Sequence, residues 1–229
     1  MKNTISFSVI LPTWNRASFI CKAIDSLLAQ TFQKFELLIV DDGSVDGTEL
    51  LIRSRYSEEL ESGRFCYLAV PHGGLSYARN IGLRHARNEW IVYLDSDNMM
   101  DPHFLEEYAK RISETSAQCY YAKFRNREKG TVVGQAFSRE LLEKGNYIDI
   151  GVFVHHISRF IDFGGFDEQL RRLEDWDVIL KYTKHTPPCF IDEVLLDYDD
   201  AYRADRLSIA EDHDTAYRYI IEKHALQVH

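Results

Sequence analysis

Nowhere in the 229 residues do about 18 apolar residues run together, so the sequence offers no membrane-spanning helix. Cysteine is sparse. Cys21, Cys66, Cys119 and Cys189 are too scattered for a CxxC metal or redox pair, and four thiols do not make a disulfide scaffold. Positive charge is in deficit, with 27 Lys and Arg against 36 Asp and Glu and a formal net charge of -9. Proteins that grip nucleic acid through its phosphates need a basic patch, so DNA and RNA are excluded as expected partners, as is a general attraction to anionic lipid. The opening MKNTISFSVILPTWNR has an apolar stretch too short for a signal sequence and no small-residue cleavage site follows it. A cytoplasmic protein is expected, with peripheral contact at the inner membrane face the one membrane association left open. Internal repeats and low-complexity linkers are also absent, which predicts one continuous domain over residues 1–229.

What is present is ordinary globular material: 45% hydrophobic and 28% charged residues. Apolar runs at 6–11, 35–40, 65–70 and 90–94 read as buried strands. Between them, Ile20, Ala23, Ile24, Leu27 and Leu28 recur at helical spacing, and residues 75–86 read as a second helix. Asp46 and Glu49 resemble a capping box that opens a third helix, continuing to about residue 60. Strand and helix alternate as in a parallel open α/β sheet. Ligands of such sheets bind beyond the carboxyl ends of the strands. Residues 12–16, 41–44, 72–74 and 95–98 should therefore converge on one crevice. The second half is less regular: helices near 102–115, 170–184 and 211–227, and strands at 119–124, 132–137 and 189–198.

Three acidic groups carry the chemistry. Asp95 and Asp97 follow the apolar strand WIVYL, so both carboxylates should project from one strand end. Two carboxylates beside a diphosphate make sense with a hard divalent cation between them, Mn²⁺ or Mg²⁺. A calcium loop starting at Asp95 is excluded, because its sixth position would be Met100 in place of glycine. Asp41 and Asp42 end the second strand, where an acid can accept from a ribose hydroxyl or a base imide. Glu174, Asp175 and Asp177 open a helix, where a carboxylate can serve as general base to a hydroxyl or simply face the helix dipole. The turn after the first strand, Pro12-Thr13-Trp14-Asn15-Arg16, has no glycine, which excludes the nicotinamide-binding fingerprint.

Five segments in order, SVILPTWNR, SLLAQTFQKFELLIVDDGSVDGT, GGLSYARNIGL, WIVYLDSDN and GGFDEQLRRLEDWDVILKY, resemble the family 2 glycosyltransferases of GT-A fold. The resemblance implies a nucleotide-sugar-binding half at 1–98 and an acceptor-binding half at 99–229. It implies inverting transfer of one sugar, from a UDP-sugar by default, to a hydroxyl of a glycan or glycolipid, with polysaccharide biosynthesis as the setting. It places Pro12, Thr13, Trp14, Asn15 and Arg16 at the first nucleotide loop, Asp42 with Asp41 at the base, and Arg79 near the diphosphate. Asp95 and Ser96 fall at the ribose and metal edge, with Asp97 as metal ligand. Asp175 becomes the catalytic base, Glu174 its helper and Trp176 the acceptor platform. The Q-x-x-R-W segment of processive members is absent, which favours single transfers. Where the family often has a histidine after Tyr-Arg, this chain has Tyr202-Arg203-Ala204-Asp205, with Asp205 at that place, leaving a third metal ligand open with His155, His156 and His213 as candidates. The alternative reading is a non-catalytic homologue that binds sugar-nucleotides or glycans.

Overall fold

The computed structural model describes residues 5–198 and 212–226. Its centre is β1 (Phe7–Thr13), buried at every position. β2 (Phe35–Asp41) lies parallel on one side and β4 (Trp90–Tyr93) parallel on the other, while β3 (Phe65–Ala69) extends the sheet beyond β2. Chain order therefore reverses direction at β1, and the carboxyl ends of β1 and β4 form the switch point where such sheets leave a crevice.

The strands alternate between two apolar layers, as a two-residue period requires. Val9, Leu11, Leu37, Ile39 and Val92 face one cluster, filled from outside by Ile20, Ala23, Ile24 and Leu27 of α1 (Ile20–Leu28). Ile10, Leu38, Ile91 and Tyr93 face the other, filled by Leu83 of α4 (Leu75–His85) and by Trp176, Val178, Ile179 and Leu180 of α8 (Glu174–Tyr182). Both faces are covered, which is why these strands read as unbroken apolar runs.

The second half continues the sheet past β4 in the order β8 (Phe153–His156), β6 (Cys119–Asn126), β9 (Cys189–Tyr198) and β5 (Met99–Met100), with β7 (Thr131–Val133) paired to β6. β8 runs antiparallel to both neighbours. Parallel ladders still hold most of the paired residues, and the chain is one α/β domain. α5 (Phe104–Glu114) and α9 (His213–His224) agree with the helices expected near 102–115 and 211–227. The expected capping box does not form. Glu49 pairs with Arg53 at 2.8 Å, and the cap position is Gly47 at φ +88°, so the segment makes two helices, α2 (Thr48–Arg55) and α3 (Ser57–Glu61). Asp46 still accepts from the Thr48 N–H at the start of α2 at 3.1 Å with one oxygen, while its other oxygen accepts from the Ala17 N–H at 3.0 Å and ties two loops together. β5, β8, α6 (Arg139–Lys144) and α7 (Ser158–Phe163) are too short to stand out in the sequence.

α4 lies close to β1 because residue 82 is glycine. A Cβ there would sit 2.4 Å from Cγ2 of Ile10. Gly82→Ala should cost about 1–3 kcal/mol of unfolding free energy by urea titration, as expected of an overpacked core. An unchanged midpoint would mean that the interface relaxes without cost.

Candidate active site

Four loops meet at the switch point around a pocket of about 320 Å³. Its lining includes Pro12, Thr13, Trp14, Arg16, Asp42, Arg79, Asp95, Ser96, Asp97, Glu174 and Asp175, all anticipated from the sequence. It also includes Asp149, Ile150, Arg172, Leu173 and Tyr198, which were not. A lone Asp in YIDIGVF has no spacing signal. Only the antiparallel insertion of β8 beside β4 carries the preceding turn to the crevice.

The first loop is braced rather than open along its whole length. Asn15, at φ +53°, donates its N–H to Ser44 Oγ at 2.8 Å and accepts from the Val45 N–H at 2.8 Å. It joins two loops and does not line the pocket. Asp41 also lies outside the lining, accepting from the Ser44 N–H at 2.8 Å and from the Tyr67 hydroxyl. Asp42 does face the pocket. One carboxylate oxygen accepts from the Gly73 N–H at 2.7 Å and the other from the Gly74 N–H at 2.9 Å. His72 Nδ1 lies 2.8 Å from the same carboxylate, and its ring stacks on Trp14 at 4.7 Å. Trp14, His72 and Asp42 thus form one braced wall. The Thr13 hydroxyl, buried in the lining, has no partner among the described residues.

Arg79 spans the floor. Its guanidinium is buried and donates to Asp95 at 3.0 Å and to Glu174 at 3.1 Å. Burial alone would lower its pKa, but the Asp95 and Glu174 charges outweigh that and raise it. Leu173, at φ +60°, turns the chain sharply into α8, a conformation costing a non-glycine residue roughly 1–2 kcal/mol. That turn points Glu174 and Asp175 at the pocket. Burial, then the charges of Glu174 and Asp149, push the Asp175 carboxyl up to about 7. Its Oδ2 accepts from Asn146 Nδ2 and its Oδ1 from the Trp176 N–H, each at 2.8 Å. Asp149 is pushed up to about 6, again by burial first and then by Asp95.

Trp176 is not an acceptor platform. It is 1% exposed, donates Nε1–H to the Leu142 carbonyl at 2.6 Å and stacks on Tyr217 at 5.4 Å, because the residue after Asp175 turns about 100° round the helix into the core. The histidines proposed as metal ligands lie elsewhere too. His155 is fully buried with its pKa lowered to about 3 by desolvation, and its Nε2 meets the Tyr93 hydroxyl at 2.9 Å. His156 packs edge-on against Trp90, and exposed His213 stacks on Tyr217. Tyr202–Asp205 lie outside the described residues. Among the described residues no three His, Cys, Asp or Glu side chains are gathered as a ready-made metal site. Asp95 and Asp97 nevertheless fit a hard cation in kind, since carboxylate oxygens are the ligands such a cation takes and the second carboxylate oxygen of Asp95 has no hydrogen bond among the described residues.

Six carboxylates against three guanidinium groups make this an acid-rich pocket, an arrangement that accepts a diphosphate only with added positive charge. No helix among the described residues is long and apolar enough to cross a membrane. Solved structures share the architecture. S. aureus TarS 1-349 in complex with UDP-GlcNAc matches with a TM-score of 0.81 at 21% identity, over 96% of this chain and 66% of that one. The mannosyltransferase PcManGT from Pyrobaculum calidifontis, in complex with GDP-Man and Mn²⁺, matches with a TM-score of 0.69 at 19% identity, over 98% and 63%. In sequence, an uncharacterised glycosyltransferase of Rickettsia typhi is 28% identical over 211 residues, 85% of this chain and 64% of the relative. A chondroitin synthase of Pasteurella multocida is 29% identical over 189 residues, 77% of this chain and 19% of the relative. The chain spans less than two thirds of the length of either relative. The pattern of glycosyl transferase family 2 matches residues 8–166, most of the chain and all of the strand-end loops up to α8, and the protein belongs to that family.

Proposed function

We propose that this protein is an inverting glycosyltransferase that moves one sugar from a nucleotide-sugar to an acceptor hydroxyl. Residues 1–98 supply the nucleotide side of the site and residues 99–229 the acceptor side. The observation that carries the reading is Asp175: a carboxyl raised toward neutrality, in a pocket that Trp14 and Asp42 also line. A base is most effective when its pKa lies near the working pH.

Trp14 and Asp42 suit a nucleobase, one offering a ring face and the other carboxylate oxygens. Asp95 and Asp97 would hold Mn²⁺ or Mg²⁺, which when bound neutralises charge on the departing diphosphate. Asp175 takes the proton of the acceptor hydroxyl as its oxygen bonds the anomeric carbon. The bond from that carbon to the phosphate oxygen breaks, and the nucleoside diphosphate leaves with the electron pair. Glu174 does not act as a second base in this scheme. Its charge is bound to Arg79, and its part is to keep Asp175 raised. The named ligands of the TarS and PcManGT complexes, UDP-GlcNAc and GDP-Man, support a nucleotide-sugar donor, with UDP taken first. A glycan or glycolipid acceptor fits the relative named a chondroitin synthase.

Three measurements test this. UDP with Mn²⁺ at 100 times its dissociation constant should add about 2.7 kcal/mol, raising Tm by roughly 5–10 °C. Asp97→Ala should remove the metal-dependent part of that shift, and an unchanged metal response would take Asp97 out of the site. Asp175→Asn should keep nucleotide binding and lose about 10²–10⁴ in kcat. In the wild type, kcat should climb with pH below about 7 and level off above it, because the base works only when ionised. A flat profile, or near-normal turnover in Asp175→Asn, removes Asp175 as base.

A further inference from the structure

Asp149 lies in the pocket and has no part in the scheme above. Its Oδ1 accepts from the Gly151 N–H at 2.8 Å, capping the 3-10 turn Ile150–Val152. Its Oδ2 has no hydrogen-bond partner among the described residues. The turn is held from behind. A Cβ at Gly151 would sit 2.9 Å from Leu196 Cδ2 and 3.0 Å from Asp149 Oδ1, so backbone, β9 and carboxylate are in close contact. The carboxylate is therefore fixed by one oxygen, in a residue that lines the pocket.

Asp149 lines the same pocket as Asp95 and Asp97 beyond β4 and Asp175 of α8. It is near enough to feel the charges of Asp95 and Asp97 and for its own charge to act on Asp175. With a nucleobase at Trp14 and Asp42 and a diphosphate at Asp95 and Asp97, the stretch up to Asp175 is where the transferred ring must lie. An ionised carboxylate only accepts hydrogen bonds, and sugar hydroxyls are the donors a ring offers.

We propose that Asp149 accepts a hydrogen bond from a hydroxyl of the donor sugar and helps select which hexose is transferred. The inference rests on the glycosyl-transfer reading. A site built to bond a substrate hydroxyl rejects the analogue that lacks it, because the site's own polar group is then left unpaired. Asp149 is thereby a specificity-determining residue, separate from the cation pair and from the base.

Asp149→Asn keeps an oxygen for the Gly151 N–H but turns the other acceptor into a donor. Asp149→Ser keeps a hydroxyl acceptor for that N–H and has no second oxygen. Binding of UDP, GDP, UDP-glucose, UDP-N-acetylglucosamine and GDP-mannose is measured by calorimetry with Mn²⁺ on the wild type and both variants. Each variant should bind the free diphosphate within about two-fold of wild type and the preferred nucleotide-sugar about ten-fold more weakly, the worth of one hydrogen bond to a charged group. Equal weakening of the diphosphate and its sugar conjugate would overturn the proposal by moving Asp149 to the cation site. Unchanged binding of both would overturn it by making the residue structural. If wild type binds neither class, the glycosyl-transfer reading falls and takes this proposal with it, an outcome distinct from variants that match a binding-competent wild type.

Discussion

The buried guanidinium of Arg79 joins the parts on which the site depends. It rises from α4, bonds Asp95 at the end of β4 and bonds Glu174 at the start of α8, residues 95 positions apart in sequence from arginine to glutamate. Taking a cation out of water costs several kcal/mol, and two carboxylates at hydrogen-bond distance offset that. Removing either partner leaves charge buried without compensation, which typically costs about 3–5 kcal/mol. The ion triad therefore fixes how the first and second halves of the chain face one another across the pocket. It sets the distance between the Asp95–Asp97 turn and the Asp175 carboxyl.

Around that triad the pocket is electrostatically unbalanced. Asp149 and Asp175 hold their protons more tightly in the folded chain than in the unfolded one. Stability from both is therefore fully present below the ordinary carboxylate range and is lost as pH rises toward 6 and 7. The fold bears this cost beside a left-handed leucine and an unpartnered threonine hydroxyl. Unfavourable features gathered in one cleft are what a binding and catalytic site looks like energetically. Outside the pocket lining, two acids of the second half are well satisfied. Asp177 accepts from Lys223 and His224 of α9, and Asp167 from Lys223 and Tyr219, so the terminal helix is clasped to the back of α8.

Much of this was legible in the chain. Three of the four apolar runs gave β1, β2 and β4, because strands covered on both faces have no polar side to show, while the run at 65–70 gave β3, the partly exposed edge of the sheet. Most of the strand-end acids followed: Asp42, Asp95 and Asp97 enter the crevice, whereas Asp41 turns to the Ser44 N–H and the Tyr67 hydroxyl. Periodicity failed where elements were shorter than one repeat of their own pattern, as at β5, β8 and α7. The helix expected through residue 60 broke at Tyr56, whose ring is buried and whose hydroxyl bonds Asp25 of α1 at 2.8 Å, a contact 31 residues away that no local pattern announces.

The amino-acid order alone determined the alternating α/β architecture, the parallel first half and the acids that end its strands. These follow from hydrophobic period and from residues adjacent in sequence. Tertiary structure decided which of those acids share the pocket. It sent Trp176 into the core and left Asp175 outside, although the two are neighbours, because a helix turns successive side chains about 100° apart. It added Asp149, because pairing of β8 with β4 is a long-range event. It also raised the Asp175 carboxyl, because burial and the nearness of Glu174 and Asp149 exist only once the chain has closed on itself.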